Sequence, residues 1–270
     1  MSDPIKAVIF DWAGTVIDFG CVAPIEALQT AFADQGVPVS ASDARRDMGR
    51  AKLDHVWQLL NHPPVRADWI AARSEAPTLA DRDRIYQALV PLMKSAAIRH
   101  ATLIPGAAAL VSDLRARGVK IGSNTGYTRE MMEGILPRAA AQGYAPDALV
   151  CAGETPSGRP APLMTWKVMV ELDVWPASAC VKVDDAEVGI EEGRQAGCWT
   201  VGLAGSGNGV GLGLEAYEAL APEDRQARLQ RSAAALTRAG ADYVVNTIAE
   251  LGPVLDLIAV RIAAGEKRVV

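Results

Sequence analysis

The sequence predicts an α/β protein: a Rossmann-like, doubly wound parallel sheet carrying an inserted α-helical cap. Three observations predict it. Val8-Ile9-Phe10 is an unbroken apolar, β-prone run closed by Asp11, as expected of a strand covered on both faces. Residues 24–99 read as a succession of helices with no convincing strand. From Pro105 onward, strand-like and helical segments alternate with short connections, the texture of repeated βα units. The expected division is a core of residues 1–20 and 100–270, with residues 21–99 as a cap over the strand ends.

In the helical block, Pro24 suits a helix start, Ile25, Leu28 and Phe32 share a face, and Gly36 ends the first helix. Two more helices are expected over 40–47 and 50–60, broken at Gly49. After Pro63 and Pro64 come further helices, the last beginning near Thr78 and bent at Pro91. Beyond the block, helices are expected over 106–117, 128–142, 162–172, 187–196 and 248–264. Strands are expected over 119–122, 148–151, 180–183, 199–203 and 243–245.

Composition narrows the function classes. The chain has 270 residues, half of them hydrophobic, enough for one large or two modest cores. A formal net charge of −5 leaves no electrostatic footprint for nucleic acid. No apolar run approaches the ~18 residues of a membrane span, and the opening Met1-Ser2-Asp3-Pro4 lacks the layout of a signal peptide. Cys21, Cys151, Cys180 and Cys198 are scattered and form no C-x-x-C pair, which fits buried free thiols in a cytoplasmic protein.

Four strand ends carry chemistry: Asp11, Thr125 in Ser123-Asn124-Thr125-Gly126, Arg159 in Gly158-Arg159-Pro160, and Asp184-Asp185. Ligands bind at the carboxyl ends of strands in open α/β sheets. The acids are hard oxygen ligands suited to Mg²⁺. Thr and Arg suit the non-bridging oxygens of a phosphoryl group, and a carboxylate such as Asp11 can form an aspartyl-phosphate. This order and spacing resemble the haloacid dehalogenase superfamily, with its D-x-x-x-T first motif, Ser/Thr second, Lys/Arg third and acidic fourth.

Two departures sharpen the reading. Phosphatases of that superfamily usually carry a second Asp two residues after the nucleophile to protonate the leaving alkoxide, and Ala13 stands there. The other departure is Met48-Gly49-Arg50-Ala51-Lys52-Leu53-Asp54-His55 in the cap. Leu53, Val56, Trp57 and Leu60 form an apolar stripe; Lys52 falls at its edge, with His55 one turn on and Met48 one turn back. A lysine held against apolar surface loses basicity, and a neutral lysine condenses with a carbonyl to form a Schiff base. The pair solves one problem, cleavage of a carbon–phosphorus bond β to a carbonyl: the carbanion leaves as an enamine, with no acid required at position 13.

The residues Asp11-Trp12-Ala13-Gly14-Thr15, Cys21, Met48-Gly49, Lys52, His55, 124–132 and Gly158-Arg159-Pro160 resemble the phosphonatase (phosphonoacetaldehyde hydrolase) family. The resemblance implies hydrolysis of phosphonoacetaldehyde to acetaldehyde and phosphate, Mg²⁺ as cofactor, and a homodimer joined largely through the caps. It implies Asp11 as nucleophile and metal ligand, with the Ala13 carbonyl and Asp185 completing the protein's coordination. Lys52 is the implied Schiff-base lysine, with Met48 and His55 beside it. Thr125, Gly126 and Arg159 are implied phosphoryl ligands, and Tyr127 and Cys21 further substrate contacts. Many superfamily members place another acid four residues after Asp185, where this chain has Gly189, so Asp184 is the candidate to substitute for it.

The alternatives from other classes are a phosphate-ester phosphatase of the same superfamily, a metal-free Schiff-base aldolase, and a silent fold kept for binding. His62 and His100 read as structural, and Met131, Met132 and Met169 as core. The run Gly205-Ser206-Gly207-Asn208-Gly209-Val210-Gly211-Leu212-Gly213 lacks a true G-x-G-x-x-G and reads as a flexible loop. Arg45, Arg46 and Arg50 form a basic cluster, either a steering patch for an anion or a solvated face.

Overall fold

Ala7, Val8, Ile9 and Phe10 form β1 (Ala7–Phe10) and are fully buried. Val8 and Phe10 join one apolar cluster, Ala7 and Ile9 another, so the strand is covered on both faces. The computed structural model describes residues 3–268; Met1 and Ser2 of the opening run lie outside them. Five further strands follow: β2 (Lys120–Thr125), β3 (Ala148–Cys151), β4 (Cys180–Asp184), β5 (Trp199–Leu203) and β6 (Tyr243–Val245). All pair in parallel in the order β3-β2-β1-β4-β5-β6, the doubly wound arrangement expected. The order reverses direction between β1 and β4, which makes their carboxyl ends the crevice of the sheet.

Five helices lie between β1 and β2 ahead of the first crossover: α1 (Val22–Ala33), α2 (Ala41–Arg45), α3 (Lys52–Asn61), α4 (Pro63–Arg73) and α5 (Leu79–Arg99). They pack on one another, α1 against α2 and α5, and α3 against α4 and α5. Ile25, Leu28 and Phe32 are buried on α1, and Gly36 after it takes φ 75°, a left-handed conformation open to glycine. Asp18 accepts from Val22 N at 2.9 Å and Ala23 N at 3.1 Å, closing the first turn of α1. The chain leaves for this block and returns from it at one place. Ile17 bridges Leu103 in antiparallel fashion, Ile104 N donates to Val16 O at 2.9 Å, and Asp18 N donates to Thr102 O at 3.3 Å.

The remaining helices are α6 (Ala107–Ala116), α7 (Arg129–Met132), α8 (Leu136–Ala141), α9 (Leu163–Glu171), α10 (Glu187–Ala196), α11 (Leu214–Glu218), α12 (Pro222–Arg238) and α13 (Leu251–Ala263). Helices α9, α10 and α12 pack side by side along the sheet. Leu110, Val111 and Leu114 of α6 and Leu251, Leu255 and Ile258 of α13 join the cluster that holds Val8 and Phe10. All four cysteines are buried free thiols. Among the described residues no helix is long and apolar enough to cross a membrane.

Several elements differ from expectation. The single helix expected over 128–142 is two short ones, because Pro137 has no N–H for an interior turn and sits in the first turn of α8. The break also lets Gly134 lie against α5, where a Cβ would come within 2.4 Å of Ile98 Cδ1. β2 runs three residues past the expected end, so Ser123, Asn124 and Thr125 are strand residues and buried. Helices α11 and α12 were not expected, although Pro222 followed by Glu223 and Asp224 is a helix-start signature. Helix α5 begins after Thr78, as expected, and runs on through Pro91. His62 and His100 find partners, Asp43 at 3.2 Å and Glu26 at 3.2 Å.

The start of α5 is closed by a capping box: Asp81 N donates to Thr78 Oγ1 at 3.3 Å and Thr78 N to Asp81 Oδ2 at 2.8 Å. Thr78→Ala should therefore destabilise the protein by about 1 kcal/mol in urea unfolding. A change below a few tenths would show that packing alone holds this end of the helix.

Candidate active site

β1 and β4 pair with Phe10 opposite Val183, so Asp11 emerges level with Asp184. Asp11 N donates to Val183 O at 3.0 Å, extending the ladder one step and fixing where the carboxylate starts. On the other side Phe10 pairs with Ser123, which places Asn124 and Thr125 beside the same crevice. In-register parallel pairing alone thus collects the first, second and fourth motifs.

Arg159 supplies the third. It comes from the loop between β3 and α9, and its side chain is wholly buried. Nη2 lies 2.8 Å from Asp11 Oδ1 and donates to Asn124 O at 3.0 Å and Asn124 Oδ1 at 2.5 Å. Nε donates to Glu192 Oε2 at 3.0 Å, and Nη1 donates to Gly49 O at 3.3 Å and lies 3.5 Å from Asp184 Oδ2. Every nitrogen of the fork is engaged by the protein. A second buried cation, Lys182 of β4, sits 2.8 Å from Asp184 Oδ2 and 2.9 Å from Asn124 Oδ1.

Asp11, Asp184 and Asp185 each offer a carboxylate oxygen, all within 4.8 Å of one another and all buried. Their electrostatics separate them. Burial pushes Asp11 up to about 6 against the pull of Arg159, and burial together with Asp11 and Asp184 pushes Asp185 up to about 8. Asp184 is also buried, but Lys182 and Arg159 outweigh burial and hold it below the ordinary carboxylate range. Asp184 is therefore neutralised by the protein, whereas Asp11 and Asp185 are short of positive charge. Two hard oxygen ligands in that condition, with the Ala13 carbonyl beside them, fit a divalent cation such as Mg²⁺.

Gly189 is explained by the same geometry. A Cβ there would lie 2.0 Å from Asp184 Oδ2, so Asp184 occupies the space that a side chain at 189 would need. Asp185 is held by Asn208 N at 2.7 Å, Cys21 Sγ at 3.2 Å and Thr15 Oγ1 at 3.3 Å. Cys21 Sγ also donates to Ala13 O at 3.3 Å. Its thiol is pushed well above its usual range, by burial first and then by Asp185, so it is a neutral donor.

The helical block closes the site from above. Lys52 is the first residue of α3, and Met48 lies in the turn before it. The lysine is 2% exposed, and its Nζ lies 5.4 Å from the centre of the Tyr127 ring. Burial lowers it to about 8, and a helix N-terminus also disfavours positive charge. His55 is lowered to about 3, by burial and by Lys52, and so is neutral. Its Nε2 lies 2.9 Å from Ala44 O, which makes Nε2 the protonated nitrogen and leaves Nδ1 a buried acceptor without a partner among the described residues.

One cavity lies between the sheet and the block. Asp11, Ala13, Cys21, Met48, Lys52, Thr125, Gly126, Tyr127 and Asp185 line it, together with Gly49 and Ala186. Of the expected site residues, His55 and Arg159 stand behind the wall. The centre of a water molecule can range over only about 20 Å³ inside, little more than one water needs. Gly126 allows this close approach, since a Cβ there would come within 2.5 Å of Arg50 O.

Comparison with known proteins fits this geometry. The family model of the haloacid dehalogenase-like hydrolases matches residues 5–197. Phosphonoacetaldehyde hydrolase of Paraburkholderia phytofirmans is 46% identical over 97% of this chain and 98% of its own length. That of Hahella chejuensis is 43% identical over 97% and 89%. The crystal structure of a phosphonoacetaldehyde hydrolase-like protein from Oleispira antarctica superimposes with a TM-score of 0.96, at 39% identity, over 99% of this chain and 98% of that one. The chain belongs to the phosphonoacetaldehyde hydrolase family. It is a hydrolase.

Asn124, quoted with the second motif, holds this hydrolase site together with Lys182, Glu192 and Asn208, to which the sequence reading gave no part in it. A signal for two of them existed. Lys182 interrupts a strand that must be buried on both faces, and Glu192 lies on an inner helix face kept thin by Gly189 and Gly193, where a Cβ at 193 would meet Lys182 Cβ at 2.6 Å.

Lys52 carries a stability consequence. Because its folded value lies near 8 and its ordinary value is 10.5, folding is opposed wherever the unfolded lysine is protonated. That penalty grows as pH falls from 10.5 to 8 and is constant below. Lys52→Met should raise stability near pH 7 by up to about 3 kcal/mol, with the gain vanishing towards pH 10.5. Urea unfolding at the two pH values checks this, and a variant weaker than the parent at pH 7 contradicts it.

Proposed function

We propose that the protein hydrolyses the carbon–phosphorus bond of phosphonoacetaldehyde, giving acetaldehyde and phosphate, with Lys52 and Asp11 as the two covalent centres. The observation that carries the reading is a single enclosed space shared by a buried, weakly basic lysine and a strand-end carboxylate that has Ala13 two residues on. The curated relatives bear the name of this activity.

Lys52 condenses with the aldehyde, releasing water and forming an imine. At about 8 its pKa leaves a usable neutral fraction near physiological pH, and the resulting iminium is an electron sink. His55, one turn along α3 and behind the cavity wall, stays neutral and so adds no second positive charge beside Lys52. Asp11 then attacks phosphorus. Arg159 holds Oδ1, while Oδ2 has no hydrogen bond or ion pair among the described residues and is the attacking atom. The carbon–phosphorus bond breaks, its electron pair enters the iminium as an enamine, and an aspartyl-phosphate forms on Asp11. One water hydrolyses the acyl phosphate. The enamine is protonated at carbon, and a second water returns Lys52 and acetaldehyde.

With every nitrogen of its fork engaged, Arg159 acts through Asp11 rather than on the phosphoryl oxygens. Those oxygens fall to Thr125 and to the backbone at Gly126. Asp11, Asp185 and the Ala13 carbonyl would hold Mg²⁺, which supplies charge neutralisation of the phosphoryl oxygens when bound. Met48, Cys21 and Tyr127 keep the aldehyde end apolar and dry. The space around Lys52 is too small for the seven heavy atoms of the substrate, so residues 21–99 act as a cap that must lift from the core of 1–20 and 100–270. A homodimer joined through the caps, in the cytoplasm, completes the reading.

Borohydride added with phosphonoacetaldehyde should inactivate the enzyme and place the reduced adduct on Lys52 by peptide mapping. Lys52→Arg, which keeps the charge but cannot form an imine, and Asp11→Asn should each lower phosphate release by at least ~10³-fold while remaining folded. An adduct on Lys6, Lys94, Lys120 or Lys167, or an active Arg variant, would remove the carbon–phosphorus assignment. Efficient turnover of p-nitrophenyl phosphate with none of phosphonoacetaldehyde would favour an ester phosphatase.

A further inference from the structure

Arg45 and the glycine-rich run 205–213 have no part in the chemistry above, yet they meet. Arg45 is the last residue of α2. Its Nη1 donates to Gly20 O at 2.9 Å and to Asn208 Oδ1 at 3.2 Å, and its Nη2 to Gly211 O at 2.9 Å. Asn208 answers with Nδ2 donating to Arg45 O at 3.0 Å. The basic side chain is thus neither a solvated face nor a steering patch, and the run is not a flexible loop. Gly205, Ser206 and Gly207 are buried, and a Cβ on Gly207 would lie 2.2 Å from that of Asp185.

The run is fastened at both ends. Ser206 Oγ donates to Gly14 O at 2.8 Å, and Gly20 N donates to Ser206 O at 2.7 Å. Gly20 has no room for a side chain, since a Cβ would come within 2.2 Å of Leu212 O. Asn208 N donates to Asp185 Oδ2 at 2.7 Å, so one residue touches both the acid of the core and the arginine of the block. On the block side, Met48 N donates to Arg45 O at 3.3 Å, and Lys52 opens the next helix. Fixing Arg45 therefore fixes the turn that delivers Met48 and Lys52.

The acceptors are neutral. No carboxylate among the described residues lies within 4.0 Å of the Arg45 guanidinium, in contrast to Arg159. Bonds from a cation to carbonyl and amide oxygens are readily exchanged for bonds to water, whereas a buried ion pair is not. We propose that Arg45 and Asn208 are positioning residues, a releasable strap that fastens the helical block, and with it Lys52, over Asp11 and Asp185. The strap itself stands on the contacts; its effect on turnover rests on the Lys52 reading above.

Alkylation of Cys21 by iodoacetamide reads the strap directly, because this thiol lies beneath the block against Asp185, while Cys151, Cys180 and Cys198 are buried in or beside the sheet. In Arg45→Met and in Asn208→Ala, Cys21 should react about tenfold faster with the other three unchanged, the size expected when one or two hydrogen bonds no longer oppose opening. kcat/KM for phosphonoacetaldehyde should fall by a similar factor, and Arg45→Lys should fall between parent and Arg45→Met. A Cys21 rate within twofold of the parent in both variants overturns the strap. So does equal acceleration of all four thiols in both, which would make Arg45 a support of the whole fold. Absence of a borohydride adduct on Lys52 in the parent would instead refute the catalytic reading and leave the labelling result to decide the strap.

Discussion

The Arg159 guanidinium is the contact on which the other parts of the site depend. It is buried in a crevice containing Asp11, Asp184 and Glu192, three carboxylates that could not remain charged there without it and Lys182. Its planar fork reaches β1 at Asp11, β2 at Asn124, β4 at Asp184, α10 at Glu192 and the helical block at Gly49. A lysine could not span these, having no planar array of donors. The acidic inner face of α10, the amide at the end of β2 and the glycine at the turn before α3 are separate in sequence and share this one partner.

The core was legible where periodicity and punctuation agree. Val8-Ile9-Phe10 before Asp11 is a short apolar run ended by an acid, Cys180 to Val183 before Asp184-Asp185 is apolar but for Lys182, and both are strands ending at the crevice. Glu187 to Ala196 followed by Gly197 is a helix closed by a left-handed residue, as its pattern implies. What was not legible depends on long-range pairing. Whether Lys182 is tolerated inside β4 is decided by Asn124, Asp184 and Glu192, residues up to 58 positions away. The role of Arg45 is decided by Asn208, 163 positions on. Gly205 to Gly213 looks mobile by composition, because glycine count does not distinguish chain that is free from chain that must pass close to a neighbour. Here the neighbours are Asp185, Ser232 and Arg45.

Charge within the site is arranged for chemistry rather than for stability. Asp11 and Asp185 are held above the ordinary carboxylate range and Lys52 below the ordinary lysine range, each chiefly by burial. Such groups oppose folding, and the surrounding apolar packing must offset them. The fully buried Trp12, packed edge-on against Tyr144 at 5.1 Å and 89°, lies immediately behind Asp11 and supplies part of that packing.

The two connections to the helical block run side by side, joined by the Ile17–Leu103 bridge and the bonds from Ile104 to Val16 and from Asp18 to Thr102. A segment whose ends already touch closes its own loop, so the sheet does not depend on what is inserted there. The stem is then a cloning site in the evolutionary sense. A different block could be grafted between Ile17 and Leu103 while β1, β2 and β4 kept their register. The aspartate and its cation partners would be inherited with the sheet, and Lys52 would be exchanged with the graft. The strand-end acids and the residues that face them from the block are in this way separately heritable in one continuous chain.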